Sequence, residues 1–430
     1  IDGSMLFASE AKAFYAHPQY TPQMDVEALL SRLVWEYPLD ATSLFQDVHQ
    51  VRPGTVEVWT VDDGIARLDS YAKFSHPMFN PLESWDVNQG SSLLLDGFIE
   101  SVGQRLMSDV PVGIVLSGGL DSSLVCAVAS EAAEIANQPV PACWTVAESE
   151  DNPDWKAAEL VASSLDLEHH QHLLEQDSFH SKLPDLAWHG EDLDVTVLFF
   201  QPLFEKMSES VTVGLCGQGA DELHAGYPRY RDLVKHSKQV RERLTDMDCD
   251  IGNLQGEGWW DSDHSPEKHT NSLEDFLAFE MENGQLSNFQ LRLVDRHSMA
   301  HGLEVRVPFL GSRHRKASSM LPMDWKLSLS LEEKAALRAA ADLTKLPKEI
   351  VRRPKLPAGR ATSPRMIDSL MKELNPYVER IAKKHHRIER SLIKQPEMAI
   401  GLGLFEAMHI LDGGRSKHAG NLNDLLEEVI

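Results

Sequence analysis

The chain has 430 residues, 42% hydrophobic and 25% charged, a balance that fits a folded globular protein and excludes a disordered one. Its formal net charge of −25 disfavours a phosphate-backbone binder, which relies on Lys and Arg contacts, so a solvated acidic surface and no nucleic-acid partner are expected. No apolar run approaches the roughly 20 residues that span a bilayer, and Asp2, Glu10 and Lys12 break any apolar signal core, so no membrane partner is expected either.

The length predicts two domains, or one large and one partial. Residues 1–75 read as mixed short elements. Met5 to Ala8 is predicted to be a strand that runs into a short helix ending near Pro18. Val26, Leu29, Leu30, Leu33 and Val34 recur at helical spacing. After a turn at Pro53-Gly54, an alternating strand, a second turn at Asp62-Asp63-Gly64 and a pairing strand follow. This is too little sequence to close a full domain. Residues 76–90, with Pro77, Pro81 and Gly90, read as a polar linker, and residues 91–430 as a second domain.

In that second part a helix is predicted from about Leu93 to Ser108. A buried strand, Val112 to Leu116, enters a helix from Ser122 to Ala136. Further strands are expected in "PACWTVAE", "HHQHLL" and "SVTVGLCG", with a helix in "WKAAELVASSL". Strands alternating with helices predict an α/β, doubly wound parallel sheet, whose ligand sits at the carboxyl ends of the strands. Residues 245–271 read as a surface loop or insertion, and from Leu273 the chain is predicted to be mainly helical. Cys126, Cys143, Cys216 and Cys249 form no C-x-x-C pair and read as buried, reduced residues of a cytoplasmic protein.

Ser117-Gly118-Gly119-Leu120-Asp121-Ser122-Ser123 lies where the first buried strand meets its helix. The glycines let backbone N–H groups approach an anion, the serines add hydroxyl donors, and the helix N-terminus adds a positive partial charge. Asp121 would repel phosphate unless a Mg²⁺ lay between them. The loop has no Lys and is not the phosphate-transferring P-loop; the bland alternative is a tight turn with Asp121 as a cap.

Ser117 to Ser123 is similar to the pyrophosphate loop of the N-type ATP pyrophosphatases. The wider pattern resembles the asparagine synthetases: Leu6 to Phe14, Asn152 to Leu165, "CGQGADELHAGYPRY" from Cys216, and "VDRHSMAHGLEVRVPFL" from Val294 match family segments in order along nearly the whole chain. The resemblance implies a sheet of the ATP pyrophosphatase type with a helical C-terminal part, preceded by part of a class II glutamine amidotransferase (Ntn-type) α+β domain. It implies a ligase that turns ATP and aspartate into β-aspartyl-AMP and pyrophosphate, and then lets ammonia displace AMP. Small-molecule substrates and an oligomer such as a homodimer go with it.

By the same resemblance Ser117, Gly118, Gly119, Asp121, Ser122 and Ser123 would hold the β- and γ-phosphates. Leu116 and Val146 would meet the adenosine through backbone, Gly217 would lie near the α-phosphate, and Asp121 and Asp221 would hold Mg²⁺. Lys334 falls where the family places a catalytic Lys, with a solvent-facing helix Lys as the alternative; Lys355 is a second candidate. Gln218 departs from the pattern: many members carry Glu there to deprotonate ammonium, and Gln does not titrate. Glu222 is the candidate replacement base, with a plain helix-start role as its alternative. Glu304 and Arg306, two apart on a strand, are expected either to pair with each other or to contact substrate. His169, His170 and His172 lie where relatives carry His without metal, so no metal is expected there.

The family's glutaminase nucleophile is an N-terminal Cys, but position 1 is Ile and no Cys precedes Cys126. The chain as read is expected not to hydrolyse glutamine, and to be a fragment of a longer protein. Two rivals stand beside asparagine formation. One is the same adenylation of another carboxylate, as in β-lactam-forming or other amidating enzymes. The other is a non-catalytic ATP-binding subunit.

Overall fold

The computed structural model describes residues 1, 3–39, 41–74, 84–247, 269–282, 284–327, 330, 332–356, 361–414 and 420–430. The strand expected at Met5–Ala8 is not formed. The chain enters a 3-10 helix, Ala11–Ala16, through extended Glu10, from a stretch without strand pairing in which Phe7 is 86% exposed. An extended segment with no neighbour has no ladder to satisfy its backbone. Helix α1 (Val26–Trp35) starts on Asp25, whose carboxylate accepts the Ala28 N–H, and stops where Glu36 turns left-handed. Its apolar face, Leu29, Leu30, Leu33 and Val34, is buried, each side chain contributing roughly 1.5–3 kcal/mol. That face joins one apolar core with the helices Phe200–Ser208, Pro364–Lys384 and Pro396–Phe405.

Strands β1 (Thr55–Asp62) and β2 (Ile65–Lys73) form an antiparallel hairpin. Asp63 and Gly64 both have positive φ, as a two-residue hairpin turn requires.

Helix α2 (Val87–Leu106) begins at Val87 rather than Leu93 because Asp86 caps it, accepting the Gln89 N–H. Gly90 is therefore helical, and a Cβ there would lie 2.4 Å from the Trp85 ring. The expected linker thus ends in helix, while its stretch at 76–83 lies outside the described residues, as does the expected insertion at 248–268.

The second sheet has five parallel strands in the order β5-β4-β3-β6-β7: β3 (Val112–Val115), β4 (Ala142–Ala147), β5 (His169–Leu173), β6 (Val213–Leu215) and β7 (Glu304–Arg306). Helices α3 (Leu120–Ala136) and α4 (Pro153–Leu165) follow β3 and β4. Strand alternation sends Cys143 to the cluster built with α2 and α3, and Trp144 and Val146 to the cluster built with Phe200–Ser208. The sheet is thus covered on both faces, and its polar business is left to the carboxyl ends. Beyond His269 the described chain is helical apart from β7 and short connections. Among the described residues no helix is long and apolar enough to cross a membrane.

Candidate active site

Strand β3 hands over to the loop at Leu116. The Leu116 N–H donates to the Trp144 carbonyl at 2.9 Å, and its carbonyl accepts the Thr145 hydroxyl at 2.6 Å. These two bonds fix the Leu116 backbone across the sheet. Val146, the other residue expected to meet adenosine through backbone, stands opposite His172 in the β4–β5 pairing, with its side chain in the core.

Gly118 has φ +69°, and a Cβ there would come within 2.6 Å of Ala157 Cβ and the Ala158 nitrogen. The glycine lets the loop lie against α4. Within the loop, Ser117 and Ser122 hydroxyls are 3.1 Å apart, and the Ser117 N–H donates to Ser122 Oγ at 3.1 Å. Ser122 Oγ also donates to the Gly119 carbonyl. Helix α3 begins at Leu120, so Asp121, Ser122 and Ser123 occupy its first turn. Ser123 is fully buried, its hydroxyl without a partner among the described residues.

Because β6 lies beside β3, its loop arrives next to this one. A Cβ on Gly217 would sit 2.9 Å from Asp121 Cβ and from the Ser122 nitrogen, so the two loops are in contact. Gly219, at φ +89°, turns the chain into the short helix Ala220–His224, which carries Asp221 and Glu222.

Two lysines from far along the chain close over these loops. Lys334 is 2% exposed, and its Nζ lies 2.6 Å from both Asp121 Oδ1 and Asp221 Oδ1. The alternative of a solvent-facing helix Lys does not hold: Lys334 precedes Ala335–Ala341 in a left-handed conformation that turns it inward. Lys355 Nζ lies 2.8 Å from Asp221 Oδ2 and 3.5 Å from Asp121 Oδ2. Burial alone would raise the Asp221 carboxyl, but Lys334 and Lys355 outweigh it and hold that group well below the carboxylate range. Burial would lower Lys355, but Asp221 and Asp121 hold it above the ordinary lysine value.

Sequence reading missed the supports. Gly226 makes room for Lys334, since a Cβ there would lie 2.0 Å from Lys334 Cε and 2.1 Å from Asp221 Oδ1. Arg338 ties the two lysine segments together. It donates to the Glu333 carbonyl at 2.9 Å and to the Val351 and Arg353 carbonyls. Arg353 pairs with buried Asp154 at 2.6 Å. A cleft lined by Ser117, Gly119, Ser122, Asp154, Arg353 and Lys355 opens over the loop. The only sequence signal for these groups was adjacency: Arg353 stands two before Lys355, and Asp154 opens α4 in the matched "NPDWKAAE" run.

Glu222 is 1% exposed. Its Oε1 accepts the Tyr227 hydroxyl at 3.2 Å, while Oε2 has no partner among the described residues. Burial, with the neighbouring Asp221 and Glu280, pushes its carboxyl up to about 8. Gln218 instead donates from Nε2 to Gln290 Oε1 at 3.2 Å.

Other expected site residues go elsewhere. Arg306 Nε donates to Glu304 Oε1 at 2.7 Å, and its Nη1 to the Arg105 and Met107 carbonyls at 2.8 and 2.9 Å. Of the two alternatives the structure forms the pairing, and Arg306 also holds the end of α2. His169 bonds Thr145 Oγ1 at 2.8 Å, and His170 stacks on Trp144.

Mg²⁺ fits this site by one observation. Asp121 and Asp221 come from different loops yet converge on a single cation, the Lys334 ammonium. Two hard carboxylate oxygens brought to one point are the donor type that Mg²⁺ takes. Among the described residues no cluster of three or more His, Cys, Asp and Glu is arranged around a metal position.

The asparagine synthase family profile matches residues 93–400, and a glutamine amidotransferase domain profile matches residues 1–72. The chain is 29% identical over 335 residues to the glutamine-hydrolyzing asparagine synthetase of Mus musculus, covering 73% of this chain and 53% of that protein. Against the Bos taurus protein of the same name it is 31% identical over 292 residues, covering 65% and 46%. Against glutamine-hydrolyzing asparagine synthetase 1 of Bacillus subtilis (strain 168) it is 28% identical over 263 residues, covering 60% and 40%. The chain thus spans about half the length of the curated relatives it matches.

Proposed function

The chain belongs to the asparagine synthase family, and from that premise we propose that it is an AMP-forming carbon–nitrogen ligase that makes asparagine from ATP, aspartate and ammonia, on a sheet of the ATP pyrophosphatase type. The observation that carries this reading is the meeting of Asp121, Asp221, Lys334 and Lys355 over the Ser117–Ser123 loop.

A free carboxylate is a poor electrophile. Its oxygen attacks the α-phosphorus, the bond to the β-phosphate oxygen breaks, and pyrophosphate leaves with the electron pair. Negative charge grows on that leaving group, and the ammoniums of Lys334 and Lys355, held over the Ser117–Ser123 loop, are suited to stabilise it. When bound, Mg²⁺ held by Asp121 and Asp221 neutralises phosphate charge. Ammonia then attacks the acyl carbon, the bond to AMP breaks, and nitrogen gives up one proton. Gln218 takes no proton; Glu222, whose buried Oε2 has no partner among the described residues and whose carboxyl is pushed up to about 8, is suited to it.

The match of residues 1–72 supports glutamine as the nitrogen source of the whole protein. Gln218 favours a second reading, the same adenylation of another carboxylate. Incubation with ATP, Mg²⁺, aspartate and ammonium is expected to yield AMP, pyrophosphate and asparagine. AMP with a different carboxylate alone would establish the second reading. No AMP with any carboxylate would overturn both and leave a non-catalytic ATP-binding subunit.

A further inference from the structure

The site neutralises itself. Two carboxylates face two ammoniums, with Asp121 and Asp221 each within 3.5 Å of both Lys334 and Lys355. The Lys334 ammonium stands at the point where the carboxylates converge, the point that suits the metal. It is held there from behind, because Gly226 leaves space for its stem and nothing more. Lys355 is fixed through the Arg338 contacts to the Val351 and Arg353 carbonyls.

A divalent cation arriving alone must push at least one ammonium off its carboxylates. At the point where the carboxylates converge that ammonium is Lys334, 2% exposed, and leaving it buried without its carboxylates is strongly unfavourable. A polyphosphate arriving with the cation changes that balance, because its oxygens take over the ammoniums while the cation takes over the carboxylates. Resting on the nucleotide-binding reading above, we propose that Lys334 and Lys355 act as specificity-determining residues: they make this site select a metal–polyphosphate complex and reject the free divalent cation. The lysines thereby serve before the reaction as well as during it. Metal and nucleotide are coupled reciprocally through them.

Mn²⁺ in place of Mg²⁺ gives a direct test by electron paramagnetic resonance, without turnover. Mn²⁺ alone is titrated into the wild-type chain and into Lys355→Met, Lys334→Met and Lys73→Met. The two site variants are expected to bind Mn²⁺ at least about tenfold tighter than wild type, within the usual range of coupling between sites. Lys73→Met, which removes a lysine from the exposed hairpin, is expected to match wild type. Equal Mn²⁺ affinity in wild type and both site variants overturns the proposal, as does an equal gain in Lys73→Met. Lys355 has a side chain 27% exposed against 2% for Lys334, so Lys355→Met carries the test if Lys334→Met does not fold. Calorimetry of wild type with Mn²⁺ and α,β-methylene ATP separates the two readings. Absence of binding there removes the nucleotide site itself, whereas binding there with equal Mn²⁺ affinities removes only the selectivity.

Discussion

Two lysines in this chain form ion pairs of nearly equal length in opposite surroundings. Lys73 of the β1–β2 hairpin lies 2.7 Å from Glu282 with both side chains about half exposed; Lys334 lies 2.6 Å from Asp121 with almost no exposure. The hairpin pair trades water for a partner it scarcely needs. The central pair has no water to fall back on, so each member depends on the other. Distance alone does not rank an ion pair; the alternative available to each charge does.

The largest expected break in this comparison is Lys334→Ala. It leaves two buried carboxylates short of a cation, and stability is expected to fall by about 3–5 kcal/mol in chemical denaturation. Formation of AMP is expected to fall at least about a hundredfold, read by pyrophosphate release. An unchanged rate would remove Lys334 from the chemistry.

Gly226→Ala tests the same lysine without deleting it. The new Cβ meets Lys334 Cε at 2.0 Å, so the side chain must move. A stability loss of about 1–3 kcal/mol is expected from overpacking, with AMP formation reduced in the same direction.

Glu222→Gln addresses proton transfer. Its folded carboxyl is raised to about 8 from the usual 4.5, so between those pH values the folded chain holds a proton that the unfolded chain has lost. Stability from this group therefore falls as pH rises through that window. Gln removes the fall, which melting curves at the two ends of the window will show. The variant should also lose the limb near 8 in the pH profile of kcat/KM for ammonia; a retained limb would assign it to another group.

The smallest effect belongs to the hairpin. Lys73→Ala is expected to change stability by less than about 1 kcal/mol and to leave AMP formation untouched. A large loss would show that the exposed pair resembles the buried one more than its surroundings imply.

Local order was legible from residue order. The helical spacing of Leu29, Leu30, Leu33 and Val34, the Asp63-Gly64 turn, and the passage from apolar strand through Gly118-Gly119 into α3 each follow from contacts a few residues apart. Where a cap or partner decided the outcome, the reading slipped: Asp86 starts α2 early, and Met5–Ala8 finds no strand to pair with. What only the tertiary structure decided is which charges meet. Lys334 and Asp121 are 213 positions apart, and Lys355 and Asp121 are 234 apart. Periodicity carries no information at that range. The sheet order sets Asp121 beside Asp221, Gly226 opens the space for Lys334, and the packing of Arg338 brings Lys355 over both. The same packing sends Arg306, equally plausible by residue type, to the end of α2 instead.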